Sequence, residues 1–202
     1  GQGDGLFINT AGIGLVPAGL NIGPAAVQPG DVILLNGDVG RHGTCIMAGR
    51  EGLAFDTDLQ SDCAPLHNVV QSLIESGVDL HCLRDCTRGG LATTLVEIAR
   101  ARGLRLHLEG TAIPVREDVR GACEMLGLDP LYVANEGRFI TIVPAADADR
   151  ALDALRRDEQ GTGAVRIGEV MNEQPGLLTL RSEIGSTRIL DMLSGEQLPR
   201  IC

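Results

Sequence analysis

Short apolar runs alternate along this chain with longer stretches whose apolar residues recur at helical spacing, and that alternation restricts the fold more than any other feature. The clearest run is 32–35, Val-Ile-Leu-Leu, inside GDVILLNGDVGRHG, where it leads directly into a glycine-rich loop. The clearest helix is TRGGLATTLVEIARARG: Leu91, Leu95, Ile98 and Ala99 recur on one face, Thr87 is placed to cap the start and Gly103 to end it. Further strands are expected at 6–9, 82–84, 105–108, 139–143, 164–170, 177–180 and 187–190. Further helices are expected at 44–50, 65–76, 117–126 and 146–156. In the third of these, Val119, Ala122, Cys123 and Leu126 share a face, and Gly127 with Asp129-Pro130 supplies the stop. Residues 11–30 carry so many breakers (Gly12, Gly14, Pro17, Gly19, Gly23, Pro24, Pro29) that they read as a connector holding a strand or two. Strands and helices alternate and β structure dominates the end. The fold class expected is α/β, an α+β sandwich built on one mixed sheet with helices packed on it.

The core of such a sandwich must be aliphatic here. Apolar residues make up 44% of the 202 but aromatic residues only 2%, with no Trp. The formal net charge of −10 argues against nucleic acid or an acidic membrane surface as a partner. All 17 basic residues are arginine, so a phosphate bound by this chain meets arginine, backbone N–H groups, a metal ion or another chain, never a lysine of its own. Six scattered cysteines (Cys45, Cys63, Cys82, Cys86, Cys123, Cys202) do not form a disulfide framework. They suit reduced cytoplasmic thiols, most of them small core hydrophobes. No run is apolar enough to span a membrane and no signal-peptide pattern opens the chain; GQGDGLFINTAGIG reads as starting in mid-domain.

Four places offer chemistry. GDVGRHG spaces its glycines at 37, 40 and 43, which fits neither a P-loop nor a dinucleotide fingerprint. It is still a loop whose N–H groups suit an anion, with His42 the histidine best placed to act; the alternative is a plain turn with an exposed histidine. RDCTRGGL sets Asp85 at a strand end, then Thr87, Arg88 and Gly89 at a helix start, where an anion would meet a fixed positive fork or, more plainly, where a capped helix begins. YVANEGRF puts Asn135 and Glu136 on a turn before a strand: a base if the carboxylate is partly buried, otherwise a solvated acid. His81, Cys82 and Cys86, or Cys63 with His67, lack the second ligand pair of a structural zinc site, so no metal ligands are expected. The fourth place is the terminal LPRIC, whose Cys202 reads either as an incidental end or as a thiol carried on a swinging arm.

Taken in order along nearly the whole chain, DGLFINTAGIG, GDVILLNG, GRHG, SDCAPL, RDCTRGGL, PVREDVRGACEMLGLDPLYVANEGRF, IGEV and LPRIC resemble the hydrogenase expression/formation family HypE. These are carbamoyl dehydratases of nickel–iron hydrogenase maturation, within the aminoimidazole ribonucleotide synthetase-like superfamily. The resemblance implies a C-terminal α/β domain at 31–192, a remnant of an N-terminal ATP-binding domain and connector at 1–30, and a flexible tail at 193–202. It implies that the carbamoyltransferase HypF loads Cys202 and that the protein then uses ATP and Mg2+, bound mainly in the N-terminal domain, to turn the carboxamide into a thiocyanate. The cyano group goes to iron on a HypC–HypD complex. By motif, Cys202 is the carrier and Glu136 the base, and Asp85, Thr87, Arg88, Gly89, His42 and Asn135 face the nucleotide or the reaction cleft. A homodimer is implied, and a chain without the ATP domain is expected to be inactive. Many family members carry an aspartate where Arg41 stands, so a metal-related role there is not expected. The rivals are other superfamily enzymes (selenophosphate synthetase, thiamine-monophosphate kinase, a purine-synthesis enzyme), none of which needs a terminal thiol, and a non-enzymatic thiol or metal adaptor.

Overall fold

In the computed structural model, described here at residues 5, 9, 11–51, 59–173 and 175–192, one seven-stranded mixed sheet organises the chain. Its strands are β1 (Asp31–Leu35), β2 (Cys82–Asp85), β3 (Arg105–Glu109), β4 (Phe139–Pro144), β5 (Val165–Met171), β6 (Leu178–Arg181) and β7 (Thr187–Leu190), in the order β2-β4-β1-β5-β3-β6-β7. Every pairing is antiparallel except β3 with β6. The helices are α1 (Arg41–Glu51), α2 (His67–Glu75), α3 (Gly90–Arg102), α4 (Glu117–Leu126) and α5 (Ala148–Arg156).

The unbroken apolar run 32–35 is explained by its place in the sheet. β1 lies between β4 and β5, and both of its faces are covered. Ile33 and Leu35 point into a cluster with Leu91, Leu95 and Ile98 of α3 and with Leu106, Leu108, Ile140 and Ile167 of the sheet. Val32 and Leu34 point the other way, into a cluster with Val69 and Leu73 of α2 and Ala151 and Leu155 of α5. A strand buried on both faces has no polar face to alternate with, so its sequence loses the period of two. β3 shows the opposite case: only Leu106 and Leu108 are fully buried, and Arg105, His107 and Glu109 face away from the core.

Boundaries moved where local chemistry differed from pattern. α1 begins at Arg41, three residues before the expected start, and α2 begins at His67 rather than at residue 65. Thr87 does not cap α3. The cap position belongs to Gly89 in the left-handed region (φ 73°), and no side chain supplies a capping hydrogen bond. Gly103, also left-handed, ends the helix as expected. The connector holds no strand among described residues 11–30; a 3-10 turn at Pro24–Ala26 is its regular element. The strand expected at 6–9 lies outside the described residues apart from Asn9, which is exposed.

Candidate functional site

Strand direction gathers the sequence motifs. β1 and β2 both run antiparallel to β4, with Leu35 opposite Ile140 and Asp85 opposite Phe139. The loop leaving β1, the loop leaving β2 and the turn entering β4 therefore emerge at the same edge of the sheet. GRHG, DCTRGG and ANEG, far apart in sequence, meet there.

Asn135 knits them together. It is fully buried. Its Oδ1 accepts the Gly40 N–H at 2.7 Å, and its Nδ2 donates to the carbonyls of Cys86 (2.9 Å) and Val133 (3.1 Å). So placed, the amide joins the three loops. Gly90 closes the same contact: a Cβ there would lie 2.5 Å from the Leu131 carbonyl and 2.6 Å from that of Val133. Only glycine lets α3 start this close to the turn.

The turn at 135–138 is held on its other side as well. Asp62 is buried, and its carboxylate accepts three backbone N–H groups: His42 on Oδ1 at 2.9 Å, Glu136 and Gly137 on Oδ2 at 3.1 and 3.0 Å. The Gly137 carbonyl accepts from Asn36 Nδ2 (3.1 Å) and from Arg138 (3.0 Å), and the Arg138 carbonyl accepts the Cys86 N–H. Glu136 is the half-buried member of this turn, and its backbone is fixed by its neighbours.

Beside the turn opens a cleft of about 490 Å³, lined among others by Asp38, Arg41, Asp62, Cys63, Arg138 and Glu159. Arg138, 6% exposed, reaches Asp38 Oδ1 at 2.7 Å and the Asp38 carbonyl at 2.8 Å. Arg41 meets the other oxygen of Asp38, also at 2.7 Å. Two guanidinium groups thus share one carboxylate at the cleft wall. His42 is half-buried rather than exposed: its Nδ1 lies 2.8 Å from Ser61 Oγ, and its Nε2 is buried with no hydrogen-bond partner among the described residues.

The remaining candidates lie on the β2–α3 loop. Asp85 is exposed and accepts the Thr87 hydroxyl at 3.0 Å, an arrangement that stiffens the loop ahead of Gly89. Arg88 is exposed and precedes the helix instead of sitting in its first turn. Cys82 and Cys86 are core residues. Burial pushes the Cys82 thiol up to about 11, partly offset by Arg84, and burial followed by the nearby Asp85 charge pushes Cys86 up as well. Neither is a nucleophile near neutral pH. Cys202 lies outside the described residues. The sequence reading overlooked Asp62, Asn36 and the Asp38–Arg138 pair. Locally each looks like a solvated loop residue, and the only hint for Asp62 is its place inside SDCAPL.

The family model for AIR synthase related protein, C-terminal domain, matches residues 28–180. The chain belongs to this family. Within it, the carbamoyl dehydratase HypE of Cupriavidus necator is 52% identical over all 202 residues, and that of Azotobacter vinelandii is 50% identical over the same span. The chain covers 58% and 59% of their lengths. Among solved structures, the hydrogenase maturation protein HypE in complex with ATP superposes with a TM-score of 0.85 at 45% identity, covering 90% of this chain and 55% of that one. HypE in a HypE–HypF complex gives 0.81 at 38%, covering 86% and 56%. A thiamine-monophosphate kinase from Stenotrophomonas maltophilia gives 0.56 at 17%, covering 85% and 56%, a likeness of fold alone.

Proposed function

We propose that this chain is the part of a carbamoyl dehydratase of nickel–iron hydrogenase maturation that carries both the acceptor thiol, Cys202, and the base, Glu136. The observation that carries the reading is the identity of about half the residues to HypE proteins along the entire chain. In this reading HypF, which a relative binds in a solved complex, loads a carbamoyl group onto the Cys202 sulfur. The carboxamide oxygen then attacks the γ-phosphorus of ATP, the nucleotide bound by another relative, releasing ADP. Phosphorylation turns a poor leaving group into a good one. Glu136 takes one proton from the carboxamide nitrogen and the departing phosphate carries off the other as the carbon–oxygen bond breaks, leaving the carbon–nitrogen triple bond of an S-cyano group. That group passes to iron held by a HypC–HypD complex: the S–C bond breaks, sulfur leaves as the Cys202 thiolate, and the two electrons that make the group a cyanide ligand come from the iron-side complex.

The geometry is compatible with delivery within one chain. Asp191, at the root of the tail, is held through its carbonyl by the Tyr132 hydroxyl at 2.9 Å. Tyr132 stands four residues before Glu136, so the root lies within roughly 25 Å of Glu136 when side-chain and chain lengths are taken at their maximum. The residues that follow Met192 reach roughly 35 Å when extended. Among the described residues no group of three or more His, Cys, Asp and Glu is placed to hold a metal ion. In our reading Mg2+ arrives with the nucleotide, and the ATP site lies mainly in the portion of the longer relatives that this chain does not match. We place the protein in the cytoplasm as a homodimer; among the described residues no helix is long and apolar enough to cross a membrane.

The test is intact-mass analysis of the full-length protein after incubation with HypF, carbamoyl phosphate and ATP. A carbamoyl adduct on Cys202 should appear and then lose one water. Glu136→Gln should accumulate the adduct and lose water only slowly. Hydrogenase maturation undiminished in Cys202→Ala would refute the carrier role.

A further inference from the structure

A base on a glycine-containing turn works only if the turn is held still, because glycine leaves its backbone free to sample many conformations. Side chains elsewhere in the chain do the holding here. The N–H groups of Glu136 and Gly137 both point at Oδ2 of Asp62, and the His42 N–H, in the first turn of α1, points at Oδ1. The backbones also touch: a Cβ on Gly137 would lie 1.9 Å from the Asp62 carbonyl oxygen, so the two loops leave no room for a side chain between them. Asp62 itself is only 4% exposed. Burying a carboxylate is costly unless it is well hydrogen-bonded, and this one accepts backbone N–H groups from the turn and from the start of α1. The positive end of α1 adds to its stabilisation.

We propose that Asp62 is the positioning residue for Glu136: it sets the carboxylate of the turn against the reacting group without touching that group itself. The proposal rests on the reading of Glu136 as the base. The three hydrogen bonds join Asp62 to the start of α1 and to the turn. Removing the acceptor releases two consecutive amides next to the working side chain. A shift of about 1 Å at a catalytic group is enough to slow a reaction by roughly 100-fold.

The experiment uses the full-length protein carrying Asp62→Asn, Asp62→Ala, the conservative Asp62→Glu, Glu136→Gln, and the double variant Asp62→Asn/Glu136→Gln. Asp62→Asn is expected to lower kcat for water loss roughly 10- to 100-fold. KM for ATP and the rate at which HypF loads Cys202 should stay within about twofold of the parent. Amide hydrogen exchange at Glu136, Gly137 and His42 should accelerate in step, while the amides of β4 stay protected. Asp62→Glu should recover part of the lost rate, and the double variant should be no slower than Glu136→Gln alone. Should Asp62→Asn not fold, exchange and kinetics of Asp62→Glu carry the same comparison. Parent-like kcat in the Asp62 variants with Glu136→Gln strongly slowed would overturn the positioning role. So would a double variant slower than Glu136→Gln, or an equal loss in HypF loading. Water loss at full rate in Glu136→Gln would instead sink the base reading, whatever Asp62 does.

Discussion

Replacing Asn135 by alanine should be among the most damaging single changes available in the described part of the chain. The side chain is fully buried and makes three hydrogen bonds to main-chain groups of three segments. Alanine orphans the Gly40 N–H outright, at a cost of about 1–3 kcal/mol. The Cys86 carbonyl keeps one partner, the Asn135 N–H at 3.2 Å, but the Val133 carbonyl loses its amide donor and a polar void remains. Together these losses come to about 3–5 kcal/mol, a large share of the 5–15 kcal/mol typical of a whole domain. Asn135→Asp sharpens the test. It keeps the acceptor for Gly40 but turns a carboxylate oxygen toward two carbonyls, so it should destabilise at least as much as alanine despite its matching shape. Equilibrium urea unfolding of parent and variants reads the difference as a shift in midpoint at constant slope. A loss under about 1 kcal/mol in both variants would refute the view that this amide holds the three loops together.

Three further outcomes follow from burial. Because the Cys82 thiol titrates near 11 in the folded chain against an ordinary value of 9.0, folding favours its protonated form. Stability from this source is complete below about pH 9 and falls as pH rises from there toward 11, by something of order 2 kcal/mol, which alkaline urea titrations of parent and Cys82→Ala compare. In the folded protein the exposed Cys63 should react with a thiol reagent at pH 8 well before the buried Cys82, Cys86 and Cys123, which become reactive on unfolding; equal rates under native conditions would contradict the packing. Leu95→Ala, at the centre of the α3 face, should cost about 2–5 kcal/mol, whereas Met125→Ala, 70% exposed, should stay within about 0.5 kcal/mol in the same unfolding assay.

The amino-acid sequence by itself determined the layers. The apolar run 32–35 and the helical spacing of Leu91, Leu95 and Ile98 each respond to a local rule, that the period of burial follows the period of the backbone. Their partnership across the core follows from which faces are left apolar. Capping chemistry was harder to read: Thr87 has the composition of a cap, yet the Asp85 carboxylate takes its hydroxyl and the left-handed Gly89 starts the helix instead. ANEG could be picked out as a turn before a strand, but its residues alone left Glu136 open between a base and a solvated acid, and only the family resemblance implied the base. Asp62 was not legible, since an aspartate in a polar loop looks the same whether water or three backbone amides surround it. What decides between those cases is strand direction: β1 and β2 both run against β4, which brings segments up to about a hundred residues apart to one edge. Hydrogen bonds between such segments depend on positions in space that no local window of sequence contains.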